Sequence, residues 1–183
     1  MLQPQNITDF YINKYVNKND TVIDATMGNG FDTLKLASAV GENGKVFAFD
    51  IQSIAIENTK KLLSKNNISN VNLILDSHSN LDKYVTSPVK CVVFNLGYLP
   101  GGDHKKQTKK ETTISAIEKS LAVLSDEGFV SVTVYYGKNS GTEEKEAVME
   151  YFKYLDYKKY TVFVCDFFNR PNNPPLSVII TKN

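Results

Sequence analysis

The sequence predicts an α/β fold built on a mostly parallel sheet with helices on both faces. Short β-branched runs alternate with longer segments of helical period, and the last two runs lie too close together for a helix between them. The runs fall at 21–25, 45–50, 71–75, 91–96, 129–135, 160–165 and 176–181. A parallel crossover needs about a dozen residues or more, so the final pair must form an antiparallel excursion. Between the runs, Ile114, Ile117, Leu121 and Leu124 recur at helical spacing, Ala55, Ile56, Leu62 and Leu63 repeat after seven, and Val148, Phe152 and Leu155 mark a third helix. "TKKE" at 108–111 has the form of a capping box and predicts a helix start just after Thr108. Residues 1–19 are expected to add an N-terminal helical extension.

A chain of 183 residues with 42% hydrophobic content can bury one substantial core and is short for two. With no repeat, low-complexity tract or linker, a single domain spanning 1–183 is expected. The formal charge of +1 excludes a global positive field, so a nucleic-acid partner must meet a local basic patch. Cys91 and Cys165 sit in apolar runs, "KCVVFNL" and "TVFVCDFF", without a second Cys or His at metal spacing. Two buried thiols, no metal and a reducing compartment are the expectation. No apolar stretch approaches the roughly 18 residues of a membrane span, and "MLQPQNITDF" lacks the pattern of a signal peptide. The protein is expected in the cytoplasm, away from membranes.

In open α/β sheets, ligands bind beyond the carboxyl ends of the strands, at the point where strand order reverses. The first strand ends in "VIDATMGNGFDT", with Asp24, then Gly28, Asn29 and Gly30 before a helical segment. Glycines there let the backbone approach a ligand closely. The second strand ends at Asp50, where a carboxylate can accept hydrogen bonds from ribose hydroxyls. A dinucleotide fingerprint would need a third glycine where Thr33 stands, and Asp24 and Asp32 would repel a pyrophosphate. The same acids suit the sulfonium and amino group of S-adenosylmethionine, so a class I (Rossmann-like) methyltransferase is favoured over a nicotinamide-binding domain. The third strand adds "LDSHSN", whose Asp76 and Ser77 stand where this fold usually meets the adenine.

In that class the strand order is 3-2-1-4-5-7-6, which sets the strand from Cys91 beside the first and brings Asn95 to the switch point. "NLGY" at 95–98 resembles the [DN]-P-P-[YF] motif of amino-methyltransferases, with Leu96 and Gly97 replacing the prolines. Carbonyls of such a turn accept hydrogen bonds from an N–H group while the Tyr98 ring packs on a planar base, orienting the nitrogen lone pair. Lys105, Lys106, Lys109 and Lys110 then precede a helix. Lysines are not the charges a helix N-terminus prefers, which points to an anionic partner such as RNA, with Lys138 and Arg170 as additions.

"DATMGNGFDT", "FDIQ", "FNLGYLPGGDH", "ETTI", "YYG" with "GTEEKE", and "NRPNNPP" together resemble the MnmM (YtqB-like) methyltransferases, formerly named rRNA methylases. The resemblance runs from about residue 20 to 182 and implies N-methylation, from S-adenosylmethionine, of 5-aminomethyl-(2-thio)uridine at the tRNA wobble position. It implies a donor site of Asp24, Gly28, Asn29, Gly30, Asp32, Thr33, Asp50, Gln52, Asp76 and His78. Asn95, Gly97, Tyr98, Leu99 and Pro100 would border the amine, with Tyr136, Gly137, Asn169, Asn172, Pro174 and Pro175 closing the pocket. Asn95, Tyr98 and Asp32 are the expected catalytic residues, Asn95 and Gly97 also touching the donor, and Lys105 and Lys106 the expected contacts to the anticodon arm. Asp32, His78 and Asp103 remain open as the titratable group, and Lys138 takes no catalytic part. Other acceptors stay open too: rRNA, a protein or a small amine. A homodimer would widen the basic surface.

Overall fold

The computed structural model describes residues 3–86, 88–103, 107–137 and 141–183. Its elements run α1 (Pro4–Tyr15), β1 (Thr21–Asp24), α2 (Phe31–Val40), β2 (Lys45–Asp50), α3 (Ser53–Lys65), β3 (Val71–Leu75), a 3-10 helix (His78–Lys83), β4 (Val89–Leu96), α4 (Lys110–Val123), β5 (Leu124–Val134), α5 (Thr142–Lys153), β6 (Tyr160–Cys165) and β7 (Leu176–Lys182). The seven strands form one sheet in the order β3-β2-β1-β4-β5-β7-β6. β7 runs antiparallel to β5 and β6, and the other pairs are parallel. The parallel strands and the antiparallel last pair are those the spacing predicts, and the order is that of the class I methyltransferases.

Both faces of the sheet are covered, which is why its central strands read as unbroken apolar runs. Along β4, Cys91 and Val93 pack with Ile12 of α1, Val16 just beyond it, and Leu36 and Val40 of α2. Val92, Phe94 and Leu96 turn to the opposite core, with Ile117 and Leu121 of α4 and Val148 and Phe152 of α5. Each large side chain buried this way, Phe94 for example, contributes about 1.5–3 kcal/mol. α1 opens with Pro4 in its first turn and with the Asn6 side chain accepting the Gln3 N–H at 2.7 Å. It docks through Thr8, whose buried hydroxyl meets that of Ser131 at 2.7 Å.

Three local expectations are corrected. α4 begins at Lys110 with Lys109 as its cap residue, because the Thr108 hydroxyl is engaged by Gly97 and Glu144 instead of by its own helix. Leu124 opens β5 rather than closing α4, since its backbone joins the ladder opposite Val89. Cys165 is exposed, because β6 is the outer strand of the sheet; Cys91, on a central strand, is buried. Among the described residues no helix is long and apolar enough to cross a membrane.

The topology sets the site. β1, β2, β4 and β5 deliver Asp24, Asp50, Leu96 and Val134 to one edge of the sheet. The 166–175 connection reaches the same edge, since Leu176 pairs with Val134 and Cys165 with Ser177.

Candidate active site

Asp24 ends β1 and is fully buried. Its carboxylate accepts the Thr33 hydroxyl at 2.6 Å and the Thr26 N–H at 3.2 Å. Thr33, standing where a dinucleotide loop would carry glycine, is thus the hydroxyl that holds the acid. Burial pushes the Asp24 pKa up to about 7, and the neighbouring charges of Asp32 and Asp50 push the same way, against the two hydrogen bonds. Asp50 accepts the Gly28 N–H at 3.1 Å and the Gln52 N–H at 2.9 Å, and burial raises its pKa as well. Gly30 sits at φ +83°, and a Cβ there would lie 2.7 Å from the Thr59 hydroxyl, so this turn requires glycine. Thr59 in turn donates to the Gly28 carbonyl at 3.1 Å, tying α3 to the loop.

The third strand's residues behave differently. Asp76 accepts from the Ser77 N–H, the Asn80 amide and the Tyr84 hydroxyl at 2.7, 2.9 and 2.9 Å. Those hydrogen bonds, that of Asn80 foremost, hold its pKa below the usual carboxylate range. Ser77 caps the 3-10 helix by accepting the Ser79 N–H. His78 is buried edge-on against Phe94, with Nδ1 3.2 Å from the Ala25 carbonyl and Nε2 lacking a partner among the described residues. Burial lowers its pKa, so it stays neutral inside the core.

At the switch point the Asn95 N–H donates to the Thr26 hydroxyl at 2.7 Å, and its side-chain Nδ2 donates to Asp32 at 2.8 Å. With Nδ2 engaged in this way, the amide presents its oxygen as the acceptor. The second Asp32 oxygen lies 3.3 Å from the Lys35 ammonium, which meets Asp9 of α1 at 2.7 Å. α1 also sends Gln5 to the Tyr135 hydroxyl. Burial and the charge of Asp32 raise the Tyr135 pKa. Gln5, Asp9, Lys35 and Tyr135 were not singled out by sequence reading. The expected Tyr136 turns instead to the α4 and α5 core, where the Lys145 ammonium lies 3.7 Å from its ring centre.

The turn after β4 lies down upon the glycine loop. Leu99 is buried, and a Cβ on Gly28 would lie 3.3 Å from its Cδ1. Asn29 donates to the Pro100 carbonyl at 3.3 Å, and the Asp103 N–H donates to Gln52 Oε1 at 3.1 Å. Donor-loop and acceptor-turn candidates therefore meet: Gly28 faces Leu99, Asn29 holds Pro100 and Gln52 holds Asp103. Tyr98 is half exposed. Asn169, Asn172 and Pro174 ride on the 166–175 connection, where Asn172 takes φ +67° and the Arg170 guanidinium stacks 3.9 Å over Phe167. Lys105, Lys106 and Lys138 lie outside the described residues.

Comparison with known proteins gives four likenesses. A family described as "Putative rRNA methylase" matches residues 46–181. The chloroplastic tRNA (mnm(5)s(2)U34)-methyltransferase of Arabidopsis thaliana is 39% identical over 172 residues, 88% of this chain; the chain spans 63% of that protein's length. Among solved structures, a "putative rRNA-methylase" of Clostridium thermocellum is 50% identical with TM-score 0.98, covering 100% of this chain and 99% of that one. A "putative methyltransferase" of Streptococcus mutans, solved in complex with SAH, is 40% identical with TM-score 0.92 over 100% of this chain and 99% of that one.

Proposed function

We propose, because this chain belongs to the rRNA methylase family of MnmM-like (YtqB-like) methyltransferases, that it N-methylates 5-aminomethyl-(2-thio)uridine at the wobble position of tRNA, using S-adenosylmethionine. The observation that carries the reading is Asn95, its backbone N–H held by Thr26 and its side-chain amide by Asp32, at the switch point and next to an acidic glycine loop. Support for the substrate comes from the Arabidopsis relative, whose name specifies that nucleoside. We treat the whole chain as one methyltransferase domain, with α1 as an extension that reaches the acceptor side.

The loop fits the donor. Burial first, then the charges of Asp32 and Asp50, make ionised Asp24 costly, so the loop favours a cation over a pyrophosphate. Asp24, Gly28, Asn29, Gly30, Thr33, Asp50 and Gln52 would hold it, with Asp76 and Ser77 toward the adenine. When bound, S-adenosylmethionine supplies a methyl group on a positively charged sulfur. The remaining work falls to the protein. An aliphatic amine, with a reference pKa of about 10.4 for lysine, is protonated at neutral pH and has no lone pair to offer. Asp32 is the titratable candidate in contact with Asn95; His78 is sealed beside Phe94 and Asp103 is exposed. Desolvation disfavours the ammonium, which gives one proton up to solvent as it enters beside Asp32, and the Asn95 oxygen accepts a remaining N–H and turns the freed lone pair toward the methyl carbon. Buried Leu99 and the Pro100 turn exclude water from that approach.

The partner we propose is the anticodon arm, gripped by Lys105, Lys106 and Arg170, in the cytoplasm where the free thiols Cys91 and Cys165 stay reduced. A homodimer across the apolar outer strand, where Phe163 and Val164 are exposed, would double that surface. The test is transfer of labelled methyl from S-adenosylmethionine to tRNA, rRNA and small amines in parallel. Label entering tRNA alone is expected; label in rRNA or only in free amines overturns the assignment. Thermal stabilisation by S-adenosylmethionine and not by NAD is expected alongside, about 2.7 kcal/mol at 100 times the dissociation constant.

A further inference from the structure

Glu144, in the first turn of α5, is 7% exposed, and both its oxygens are used. Oε2 accepts the Thr108 hydroxyl at 2.6 Å, and Oε1 accepts the Thr113 hydroxyl at 2.7 Å. A buried carboxylate is costly unless hydrogen-bonded. Here two hydroxyls satisfy it, and the helix N-terminus favours its charge.

The consequence lies at Thr108. A hydroxyl has one proton to give, and giving it to Glu144 aims the oxygen's lone pairs at the Gly97 N–H, 2.9 Å away. The Thr108 N–H donates to the Gly97 carbonyl, also at 2.9 Å, and Tyr98 bridges to Gln107 in antiparallel fashion. The neck of the 97–108 segment is thereby clamped on both sides. Gly97 itself takes φ +147°, a conformation that side chains rarely adopt. Its peptide unit could turn if its N–H lost this acceptor. Asn95 lies two residues before the clamp, and Leu99, which covers the glycine loop, two residues after it.

We propose that Glu144, acting through Thr108, is a positioning residue for the acceptor turn: it fixes the Gly97 peptide and with it the placement of Asn95 and Tyr98 over the donor loop. The inference rests on the proposed methyl transfer for its kinetic consequence and gives α5 a part in the site. Thr113 provides the contrast, since it uses the same carboxylate but lies on α4, away from the turn.

The experiment compares Thr108→Val, Thr108→Ser, Glu144→Gln and Thr113→Val with the full-length wild type. Single-turnover methyl transfer at saturating tRNA is expected to fall about tenfold or more in Thr108→Val and Glu144→Gln. Binding of S-adenosylmethionine should stay within about twofold, and Thr108→Ser, which keeps the hydroxyl, should restore the rate. Thr113→Val should lower the melting temperature without slowing transfer. In parallel, amide hydrogen exchange of the peptide spanning 95–101 should quicken in Thr108→Val and Glu144→Gln and not in Thr113→Val. The proposal is overturned if Thr108→Val keeps both wild-type rate and wild-type exchange, or if Thr113→Val alters them as much. Should the wild type transfer no methyl to tRNA, the exchange comparison decides the positioning role while the substrate reading fails separately.

Discussion

Asp24 makes a distinct contribution to the pH dependence of stability. Its pKa in the folded chain, about 7, lies above the unfolded reference of about 3.9, so the folded state binds the proton more tightly. The stability from that proton is full below about pH 4 and is lost as pH rises through about 7, at about 1.4 kcal/mol per unit. Asp24→Asn should flatten the decline of melting temperature over that window. A cationic donor favours the ionised acid, so wild-type affinity for S-adenosylmethionine should strengthen from about pH 6 to 8, while Asp24→Asn binds weakly and evenly; calorimetry at each pH checks both. Asn95→Ala should slow single-turnover transfer about 100-fold at saturating substrates; a wild-type rate would remove Asn95 from the mechanism. Asp24, Gly30 and Asp50 were legible because each lies at a strand end or in the turn beside one, a local pattern. Asp9, Lys35, Gln5 and Tyr135 were not: Asp9 and Lys35 are 26 residues apart, and Gln5 and Tyr135 are 130 apart, and such pairs leave no trace in spacing.

Helix α1 shows what an element adds beyond its own pattern. Sequence reading took residues 1–19 as an extension; the structure ties that helix to Ser131, Lys35 and Tyr135. Thr8→Val should strand the buried Ser131 hydroxyl and cost about 1–3 kcal/mol, read from the urea midpoint, and should loosen the Asp9 end of the Asn95 network with it. The strands were legible because a sheet covered on both faces needs continuous apolar runs. The start of α4 was not, since "TKKE" is a sound local cap and loses only because a buried carboxylate 36 residues away claims the threonine. Cys165 misled for a similar reason: an apolar run marks a strand, not its place at the edge of the sheet.

At the scale of the whole molecule, a net charge of +1 means that the proposed tRNA substrate would have to be gripped locally. Binding should weaken steeply with salt, and Lys105→Glu with Lys106→Glu should flatten the log–log slope by about two. Phe168 is fully exposed beside the Phe167 and Arg170 stack on the site's edge of the sheet; under the proposed tRNA reading its ring is the surface for an unpaired base to stack on, and Phe168→Ala should reduce tRNA affinity and leave donor binding intact. The parallel sheet and its antiparallel last pair were readable from element order and the short final connection, and the strand order through the methyltransferase class; the acceptor was readable only through family resemblance, because fold and donor leave it open. The most direct test is to incubate the protein and S-adenosylmethionine with tRNA from cells lacking it, then digest the tRNA and identify its nucleosides by mass. Conversion of 5-aminomethyl-2-thiouridine to 5-methylaminomethyl-2-thiouridine is the predicted result. A methyl group on any other nucleoside, or none on the wobble uridine, would contradict it.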